Sequence, residues 1–587
     1  MIKEKLKDIV EGAITKAAKD GKLGAMTECA VPVTIEKPRS PEHGDLACGT
    51  ALKLASAARC APLKIAETVA DYIGSNGAGE KYISKLNAAA PGFINFQLGS
   101  GWLGEALLEI NAAGEKFGRN EIGKGQKVLV EYVSANPTGD IHIGHGRNAV
   151  FGSCLSNLLK FSGFQVEQEF YVNDSGEQIL ALGRCAWAIY QKKLGKDAPY
   201  PETGYPEDSL SEFLDTVVSE HKDEFLGLSD EEGARKLGDV TKQVILKYQE
   251  RLLERVGIHF DRWFSEESLH RAGKVKEIIE LYKDKGWCYE QEGALFFKAK
   301  ELGDERDRVI LKSDGRTTYL TADAAYHRDK YERGYDKLVT IWGADHHGQV
   351  PGLKAVVKAM GNDPEKMEII LTQIVNLSRD GQLVRMSKRK GTVVTLAEVA
   401  DEVGVDAVRY YLAESNPQNP ISFDLELAKK TGRENPAFYI QYAHARCCAI
   451  LRRALEPTVN VETQQTEPPL ITADIWQKYQ DEYKKSASVY EPAFDADPVV
   501  FAHQKALVMC LETFPEEVEE ATNGRQPGRL ARYAYDVANY LQKFYEVSRV
   551  ITEDTAVTKA RLGLILATRQ VLANVLGIIG VSAPERM

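Results

Sequence analysis

The sequence predicts an α/β protein with a parallel sheet, a helical insertion in that sheet, a small N-terminal α/β module and a C-terminal helical bundle. An apolar run from Lys127 is followed by a Pro/Gly turn, a helical pattern and a second strand-like run, VEQEFYV. Strand, turn, helix and strand in this order are typical of a parallel sheet. Strand-like patterns return around Lys337, and residues after about 435 have an almost continuous helical pattern.

These patterns divide the chain into three predicted parts. Residues 1–115 form an N-terminal α/β domain, in which the strand-like run PGFINFQL comes near the end. Residues 116–430 hold the sheet, interrupted at about 175–300 by a largely helical insertion. Residues 431–587 form the helical bundle. Several domains are expected at 587 residues, because single hydrophobic cores stop growing well below that length.

The composition, 43% hydrophobic and 27% charged, is typical of soluble globular proteins. We find no run of about 20 uncharged apolar residues, which a membrane span requires. The N-terminus indicates an amphipathic helix with Leu6, Ile9 and Ile14 on one side, not a signal peptide. We therefore expect a cytoplasmic protein without a membrane partner.

The net charge of −11 and the nine scattered cysteines limit the possible partners. Because phosphate affinity comes from Lys and Arg, the negative charge argues against DNA and general nucleic-acid binding, but it allows a local basic face for RNA. No cysteine has zinc-finger spacing, and adjacent Cys447 and Cys448 would point to different faces of a helix. We expect reduced thiols and no structural metal.

The run SANPTGDIHIGHGRNA places two histidines at a helix start. Gly144 lies between His142 and His145 and would let a nucleotide approach the backbone closely. A helix N-terminus attracts phosphate, and the imidazoles could donate to phosphate oxygens as charge moves onto a leaving pyrophosphate. The alternative is a capped helix with two partly exposed histidines.

A second run, LVRMSKRKGTVVTL, packs four cations into six residues. Arg385, Lys388, Arg389 and Lys390 precede Gly391, which suits a basic loop that stabilises a phosphate transition state. The alternative is a solvated surface loop.

Together the two runs resemble the paired signatures of class I aminoacyl-tRNA synthetases. His142-Ile143-Gly144-His145 matches their HIGH motif at every position, and the second run, about 240 residues later, is similar to their KMSKS motif. There Arg385 replaces the first Lys and Arg389 the final Ser, while the second Lys is present as Lys388. Within the class, the chain resembles the bacterial-type arginyl-tRNA synthetase family, which tolerates both replacements.

The resemblance extends over nearly the whole chain, through collinear stretches such as EKPRSPEHGDLACGTALKLA, YVNDSGEQI, SDGRTTYLTADAAYHRDKY and VLANVLGIIGVSAPERM. It implies a Rossmann-like catalytic domain, an N-terminal domain that contacts tRNA and a C-terminal anticodon-binding domain. The implied enzyme activates L-arginine with ATP and transfers the arginyl group to the 3′-terminal ribose of tRNA(Arg), as a monomer. ATP is expected as a substrate with Mg²⁺, held mainly by the pyrophosphate oxygens.

The resemblance also implies an arginine pocket. Tyr319 and Asp323, four residues apart, would share a helix face, so that a ring and a carboxylate hold one guanidinium. The alternative is an ordinary exposed pair. By resemblance, Glu267 supplies a second carboxylate, while Glu131 and Asn136 hold the α-amino end.

Three further details belong to this pocket. Glu131 lies in an otherwise apolar strand, where an unpaired carboxylate is costly to bury, and this hints at a cationic partner. Ser134 assists the pocket or is a plain turn hydroxyl. Gln349 is a further arginine-binding candidate.

The nucleotide is assigned to the carboxyl end of the strand KLVTIW. Gly343, Asp345 and His346 follow this strand at the edge where α/β folds bind nucleotides, and by resemblance they contact the ATP ribose or the bound arginine. The alternative is a structural loop with a salt-bridged Asp345. The predicted ATP site also includes Gly144, Arg385, Met386 and Ser387, and the predicted catalytic residues are His142, His145 and Lys388.

Aromatic residues of the helical bundle are candidates for stacking on tRNA bases. We predict this role for Tyr439, Tyr442 and Tyr533, although aromatics at helical spacing are often core residues.

Three other functions remain alternatives. A cysteine enzyme of the class would carry zinc-spaced cysteines and a leucine enzyme a far larger editing insertion. A small-molecule adenylyltransferase would not need the C-terminal bundle. A non-catalytic tRNA-binding relative would not need His142, His145 and Lys388.

Overall fold

The computed structural model describes the chain from Met1 to Met587 except residues 25, 27, 30, 76, 78, 385–393 and 460–465. Four predicted site residues, Arg385, Met386, Ser387 and Lys388, lie outside the described residues.

The N-terminal part is a four-stranded antiparallel sheet with helices packed on it. Its first helix buries Leu6, Val10 and Ile14, the amphipathic pattern predicted from the sequence, while Ile9 is only partly buried. The elements are α1 (Ile2–Lys19), β1 (Ile35–Glu36), β2 (Leu46–Cys48), α2 (Thr50–Ala58), α3 (Pro62–Ser75), β3 (Ile83–Ala89), β4 (Phe93–Leu98) and α4 (Leu103–Ala113), and the strand order is β1-β2-β4-β3.

The middle part of the chain contains the strand-turn-helix units expected from Lys127 and from Lys337. Its elements are β5 (Lys127–Glu131), α5 (Ile143–Phe161), β6 (Gln165–Val172), α6 (Glu177–Lys193), α7 (Glu207–His221), α8 (Asp230–Arg255), β7 (Arg262–Ser265), α9 (Glu266–Arg271), α10 (Lys274–Asp284), β8 (Cys288–Gln291), β9 (Ala294–Phe297), β10 (Arg308–Leu311), α11 (Tyr319–Glu332), β11 (Lys337–Gly343), α12 (Val350–Met360), β12 (Met367–Thr372), β13 (Val375–Arg379), β14 (Gln382–Leu383), α13 (Leu396–Val403), α14 (Val405–Ala413), β15 (Ile421–Asp424) and α15 (Leu425–Lys429).

Five of these strands form a parallel sheet in the order β12-β11-β5-β6-β7. Val128, Val130, Val339 and Ile341 on its central strands are buried. From β5 the chain continues to β6 on one side of the sheet, and from β11 it continues to β12 on the other side. The strand order therefore reverses between β5 and β11. α/β proteins bind ligands at the carboxyl ends of the strands at such a point.

The region 175–300 differs in one respect from the predicted helical insertion. Helices α6, α7 and α8 do enclose a hydrophobic core of their own, around Leu182, Tyr190 and Leu214. The same region also contains β7, the edge strand of the parallel sheet, and two strands of an antiparallel sheet, β10-β9-β8. A four-residue strand followed at once by a helix shows too few alternations to be recognised from periodicity.

The remaining chain is a bundle of helices. Its elements are α16 (Pro436–Leu455), β16 (Thr458–Val459), β17 (Thr466–Glu467), α17 (Ala473–Tyr483), α18 (Pro498–Glu512), α19 (Phe514–Gly524), α20 (Gly528–Val547) and α21 (Thr555–Ile579). By length and composition α21 could cross a membrane, which the sequence analysis did not single out. Because 72% of its most apolar stretch is buried inside the protein, α21 serves here as a core helix.

Arg409 of α14 joins three parts of the fold. Its buried guanidinium donates hydrogen bonds to the carbonyl oxygens of Val256 (2.8 Å) and Ile579 (3.2 Å) and to Ser153 Oγ (3.1 Å). Val256 follows α8, Ile579 ends α21 and Ser153 lies on α5, so one side chain ties two helix ends to the middle of a third helix.

We predict that Gly580→Ala destabilises the protein. Gly580 has a φ of 67°, and an added Cβ would collide with the Arg409 guanidinium. The left-handed conformation alone costs Ala about 1–2 kcal/mol, so the midpoint of thermal unfolding should fall by about 1–4 °C in a chain of this size. The matched control is Gly577→Ala, where a Cβ meets nothing within 4 Å and should be neutral or stabilising. Equal midpoints for the two variants would contradict this account.

Candidate active site

The HIGH segment forms the N-terminus of α5. His142 is the N-cap, and its Nδ1 accepts a hydrogen bond from the backbone N–H of His145 at 3.2 Å. The two imidazoles stack with their centroids 3.7 Å apart. The segment is therefore a capped helix start, and this geometry also gathers both rings at the positive end of the helix.

His145 is a neutral imidazole at neutral pH. Burial, reinforced by the neighbouring His142 and His346, lowers its pKa to about 3. Its Nδ1 is buried and has no hydrogen-bond partner among the described residues. A neutral ring keeps one N–H donor, so His145 can offer a hydrogen bond to a ligand without adding a charge.

The chain that follows the second motif pairs with the first motif. The N–H of Ile143 donates to the carbonyl oxygen of Val394 (3.1 Å), and the N–H of Leu396 donates to that of Ile141 (2.8 Å). Val394 comes directly after residues 385–393 in the chain. Backbone hydrogen bonds thus connect the HIGH segment to residues 394–396.

The turn after β11 borders the same helix start. A 3-10 helix, Ala344–Gln349, begins at the strand end, and His346 Nδ1 lies 3.2 Å from Gln349 Oε1. The side chain of Asp345 is 83% exposed and lies 3.9 Å from His346 Nε2. A Cβ on Gly343 would lie 2.5 Å from Asp345 Oδ1, so this close turn suits glycine.

Glu131, at the carboxyl end of β5, is buried and paired inside the protein. Its Oε2 accepts from Lys330 Nζ at 2.5 Å and from Thr340 Oγ1 at 3.2 Å, and its Oε1 accepts from Ser134 Oγ at 3.1 Å. The cationic partner that the sequence hinted at is Lys330 of α11.

A strained turn follows Glu131. Val133 and Ser134 have φ values of 68° and 45°, which non-glycine residues rarely adopt. The Oγ of Ser134 also accepts from the backbone N–H of Tyr171 at 3.3 Å, and this helps to hold the turn. Such conformations cost about 1–3 kcal/mol each and concentrate at functional sites. Beyond the turn, Asn136 is exposed.

Asp323 of α11 and Glu266 of α9 form an acidic pair. Burial, together with the charges of Glu266 and Glu131, raises the pKa of Asp323 to about 7, although Lys330 opposes the shift. Glu266 is 5% exposed and accepts from Tyr171 Oη at 2.7 Å. Two neighbouring carboxylates of this kind favour a cationic ligand, because it relieves their mutual repulsion.

Glu267 has a different environment from its neighbour. Its carboxylate accepts from Lys242 Nζ (2.9 Å) and from Arg271 (2.7 Å), and these cations hold its pKa below the ordinary value. Glu267 was the carboxylate predicted from the sequence, whereas Glu266, which was not predicted, is the one whose charge acts on Asp323. The dipeptide alone does not show which carboxylate faces α11, since successive helical residues point in different directions.

Tyr319, the first residue of α11, stands at the edge of the acidic pair. It is 64% exposed, and its hydroxyl accepts from Gln178 Nε2 at 3.2 Å. The ring is therefore open to a ligand.

The three predicted tRNA-stacking tyrosines differ in exposure. Tyr439 and Tyr533 are each 5% exposed, and Tyr533 Oη donates to the carbonyl oxygen of Cys510 at 2.8 Å. As they lie in the structure, neither ring presents a face to a base.

Tyr442, by contrast, belongs to an exposed cation–aromatic stack. It is 39% exposed, and the Arg446 guanidinium lies 4.7 Å from its ring centroid and 5.0 Å from that of Tyr545. Tyr545, which the sequence analysis did not select, is 43% exposed. The stack is cationic and open to solvent.

The fold and the site define a class I aminoacyl-tRNA synthetase: a parallel sheet carries a HIGH helix start beside the chain that follows a KMSKS-like run. Three family models match the chain. They are the class I tRNA synthetase (R) catalytic domain (residues 107–430), the DALR anticodon binding domain (440–587) and the arginyl tRNA synthetase N terminal domain (4–98).

Relatives and solved structures that match the whole chain agree with these family models. The chain is 39% identical to the arginine--tRNA ligase of Desulfitobacterium hafniense, with 99% of each chain covered. It is 40% identical to that of Caldanaerobacter subterraneus, covering 100% of this chain and 99% of the relative. The Thermus thermophilus arginyl-tRNA synthetase structure has a TM-score of 0.67 at 22% identity and shares the fold over 99% of this chain and 100% of its own.

The chain belongs to the arginine--tRNA ligase family and is an ATP-using aminoacyl-tRNA synthetase.

The raised pKa of Asp323 predicts a pH-dependent cost in stability. In the folded chain the carboxyl keeps its proton up to about pH 7, whereas in the unfolded chain it ionises near 3.8. The folded state therefore binds more protons between these values, and this contribution to stability is lost as pH rises from about 4 to 7. Asp323→Asn should unfold at a higher temperature than wild type at pH 8, and the difference should shrink toward pH 4. A difference independent of pH would refute the assignment.

Proposed function

We propose that the carboxyl edge of β5 and β11 is the site where arginine is activated with ATP, and that Asp323 and Glu266 recognise the guanidinium. The observation that carries this assignment is the acidic pair itself. Other buried carboxylates nearby have basic partners in the chain: Glu131 pairs with Lys330, and Glu169 pairs with Arg333 at 2.6 Å. Asp323 instead retains a proton up to about pH 7.

The guanidinium fits this pair for physical reasons. It is planar, permanently charged and able to donate to two carboxylates, and the exposed ring of Tyr319 offers it a face. Lysine has the same charge but lacks the planar fork, so it cannot satisfy both carboxylates in the same geometry. Asn136 and Ser134, with Glu131 behind them, would hold the α-amino end, and Gln349 would border the pocket from the turn after β11.

In the first step, an oxygen of the arginine carboxylate attacks the α-phosphorus of ATP. The bond to the bridging oxygen breaks, and pyrophosphate leaves with the electron pair. His142 and His145 donate N–H groups to phosphate oxygens at the α5 N-terminus, and Gly144 leaves room for the chain of phosphates. Mg²⁺ bound to the phosphate oxygens supplies positive charge when present.

Two other groups complete the ATP site. Gly343, Asp345 and His346 border the ribose at the β11 edge. Lys388, with Arg385, Met386 and Ser387, would stabilise the leaving pyrophosphate, because Val394 just beyond them is hydrogen-bonded to the HIGH segment.

In the second step, a hydroxyl of the tRNA 3′-terminal ribose attacks the arginyl carbonyl carbon, and AMP leaves. No protein nucleophile is required, so catalysis depends on positioning and charge stabilisation. We place the reaction in the cytoplasm, as the composition and the N-terminal pattern favour, and expect a monomeric enzyme, as the family resemblance implies.

We predict that Glu266→Gln weakens arginine binding by about 2–3 kcal/mol, because it removes one charged acceptor from a desolvated guanidinium. Glu267→Gln is the matched control: its carboxylate already pairs with Lys242 and Arg271, so the change should cost about 1 kcal/mol or less. Titration calorimetry with arginine measures both. Equal losses of arginine affinity in the two variants would show that Glu266 does not bind the guanidinium.

The function itself is tested by aminoacylation of unfractionated tRNA with each of the twenty amino acids. Wild type should charge arginine, and lysine charging should be negligible. Efficient charging of lysine would contradict guanidinium recognition by the acidic pair.

We further predict that Tyr442→Ala weakens tRNA binding by about 1–3 kcal/mol, the contribution of one stacked base. Filter binding at fixed salt measures it, because phosphate contacts make affinity salt-dependent. Tyr533→Phe keeps the buried ring and should leave the Kd for tRNA unchanged. The proposal is contradicted if Tyr533→Phe weakens tRNA binding and Tyr442→Ala does not, because Tyr533 and not Tyr442 would then contact the tRNA.

A further inference from the structure

A buried glutamine of the helical insertion holds the loop that leads to the HIGH segment. Gln249 of α8 is fully buried, and its Nε2 donates to the carbonyl oxygens of Asn136 (3.1 Å) and Gly139 (2.8 Å). The two carbonyls lie between the carboxyl end of β5 and the start of α5. One amide group thus spans the loop that joins the proposed arginine side of the site to its phosphate side.

Packing stability alone does not explain this amide. The other polar atom of the side chain, Gln249 Oε1, is buried and has no hydrogen-bond partner in the part of the chain that the structure describes. A buried polar atom without a partner costs stability, and an apolar side chain of the same size would avoid that cost. What the amide provides instead is a fixed position for two backbone carbonyls.

The rest of α8 supports the same interpretation. Tyr248, the preceding residue, lies beside Asp140 of the same loop, and burial together with that carboxylate raises its pKa. Lys242, seven residues earlier on α8, is buried and donates to Glu267 at 2.9 Å. Residues seven apart lie on one helix face. A single face of α8 therefore contacts both the loop before the HIGH segment and the start of α9, which carries Glu266.

We propose that Gln249 is a positioning residue for the formation of the arginyl-adenylate. By holding the carbonyls of Asn136 and Gly139, it fixes where the Asn136 side chain stands and how the loop enters the His142 cap. Misplacement of reacting groups by about 1 Å can cost a hundredfold in rate, so a residue that touches no substrate can still control turnover. The inference rests on the proposed assignment of the site.

The test compares three variants of the full-length chain in arginine aminoacylation. Gln249→Met keeps the shape and removes both donors. Gln249→Glu keeps the shape but presents a carboxylate to two carbonyl oxygens. Gln243→Met is the matched control, since Gln243 is exposed on the same helix.

Gln249→Met should lower kcat/KM for arginine by about tenfold to a hundredfold, while the Kd for tRNA and the temperature of unfolding stay near those of wild type. Gln249→Glu should be at least as impaired at pH 8, but its activity relative to wild type should rise as pH falls toward 6. Its buried carboxyl regains a donor when it is protonated, and a space-filling role would show no such recovery. Gln243→Met should behave as wild type.

The inference is overturned if both Gln249 variants match Gln243→Met, or if their losses follow the fraction of unfolded protein. If Gln249→Met does not fold, the pH profile of Gln249→Glu decides. Failure of wild type to charge arginine would refute the proposed function instead, and the two failures are therefore distinguishable.

Discussion

The site depends on the backbone pairing of residues 141–143 with residues 394–396. These two hydrogen bonds join segments about 250 residues apart, and closing so long a loop requires support from elsewhere. Arg147 supplies part of that support. The residue is 1% exposed. Its guanidinium donates to the carbonyl oxygens of Gln373 (2.6 Å) and Asn419 (2.7 Å), and burial lowers its pKa to about 10. The loop after β12 and the approach to β15 are thereby tied to the first turns of α5, beside the pairing.

Buried carboxylates near this edge of the sheet have two kinds of environment: some are paired with a cation, and one lies beside like charges. Glu131 pairs with Lys330 and accepts from two hydroxyls, and Glu169 makes a bidentate contact with Arg333, so both carboxylates have partners within the fold. Asp323 is buried beside the charges of Glu266 and Glu131, and its pKa rises to about 7 although Lys330 opposes the shift. Binding sites often contain charged groups that have no opposite charge within the fold, because the ligand supplies that charge. The local destabilisation and the capacity to bind a cation therefore have one physical origin.

Elements that are long and periodic could be predicted from the sequence, whereas details that depend on distant contacts could not. The strand from Lys127, the helix after His142 and the C-terminal helices were predictable, because each repeats its apolar pattern several times. Lys330 could not be assigned to Glu131, since the two are 199 residues apart in sequence. Nor could periodicity separate Glu266 from its neighbour, or exposed Tyr442 from buried Tyr439, because the orientation of a helix about its own axis is set by tertiary packing.

The position of α5 also explains how the helical bundle bears on the site. The N-terminus of α5 carries the HIGH histidines, while its later turns meet the end of α21, where Asn157 Nδ2 donates to the carbonyl oxygen of Ile578 at 3.2 Å. Arg409 sits at this junction and donates to carbonyls at the ends of both α8 and α21. Helix C-termini carry partial negative charge, so two of them compensate one buried guanidinium without a carboxylate. Separating α21 from α8 would leave the buried Arg409 charge uncompensated. The free-energy cost of that charge keeps α21 of the bundle, α8 of the insertion and α5 packed together.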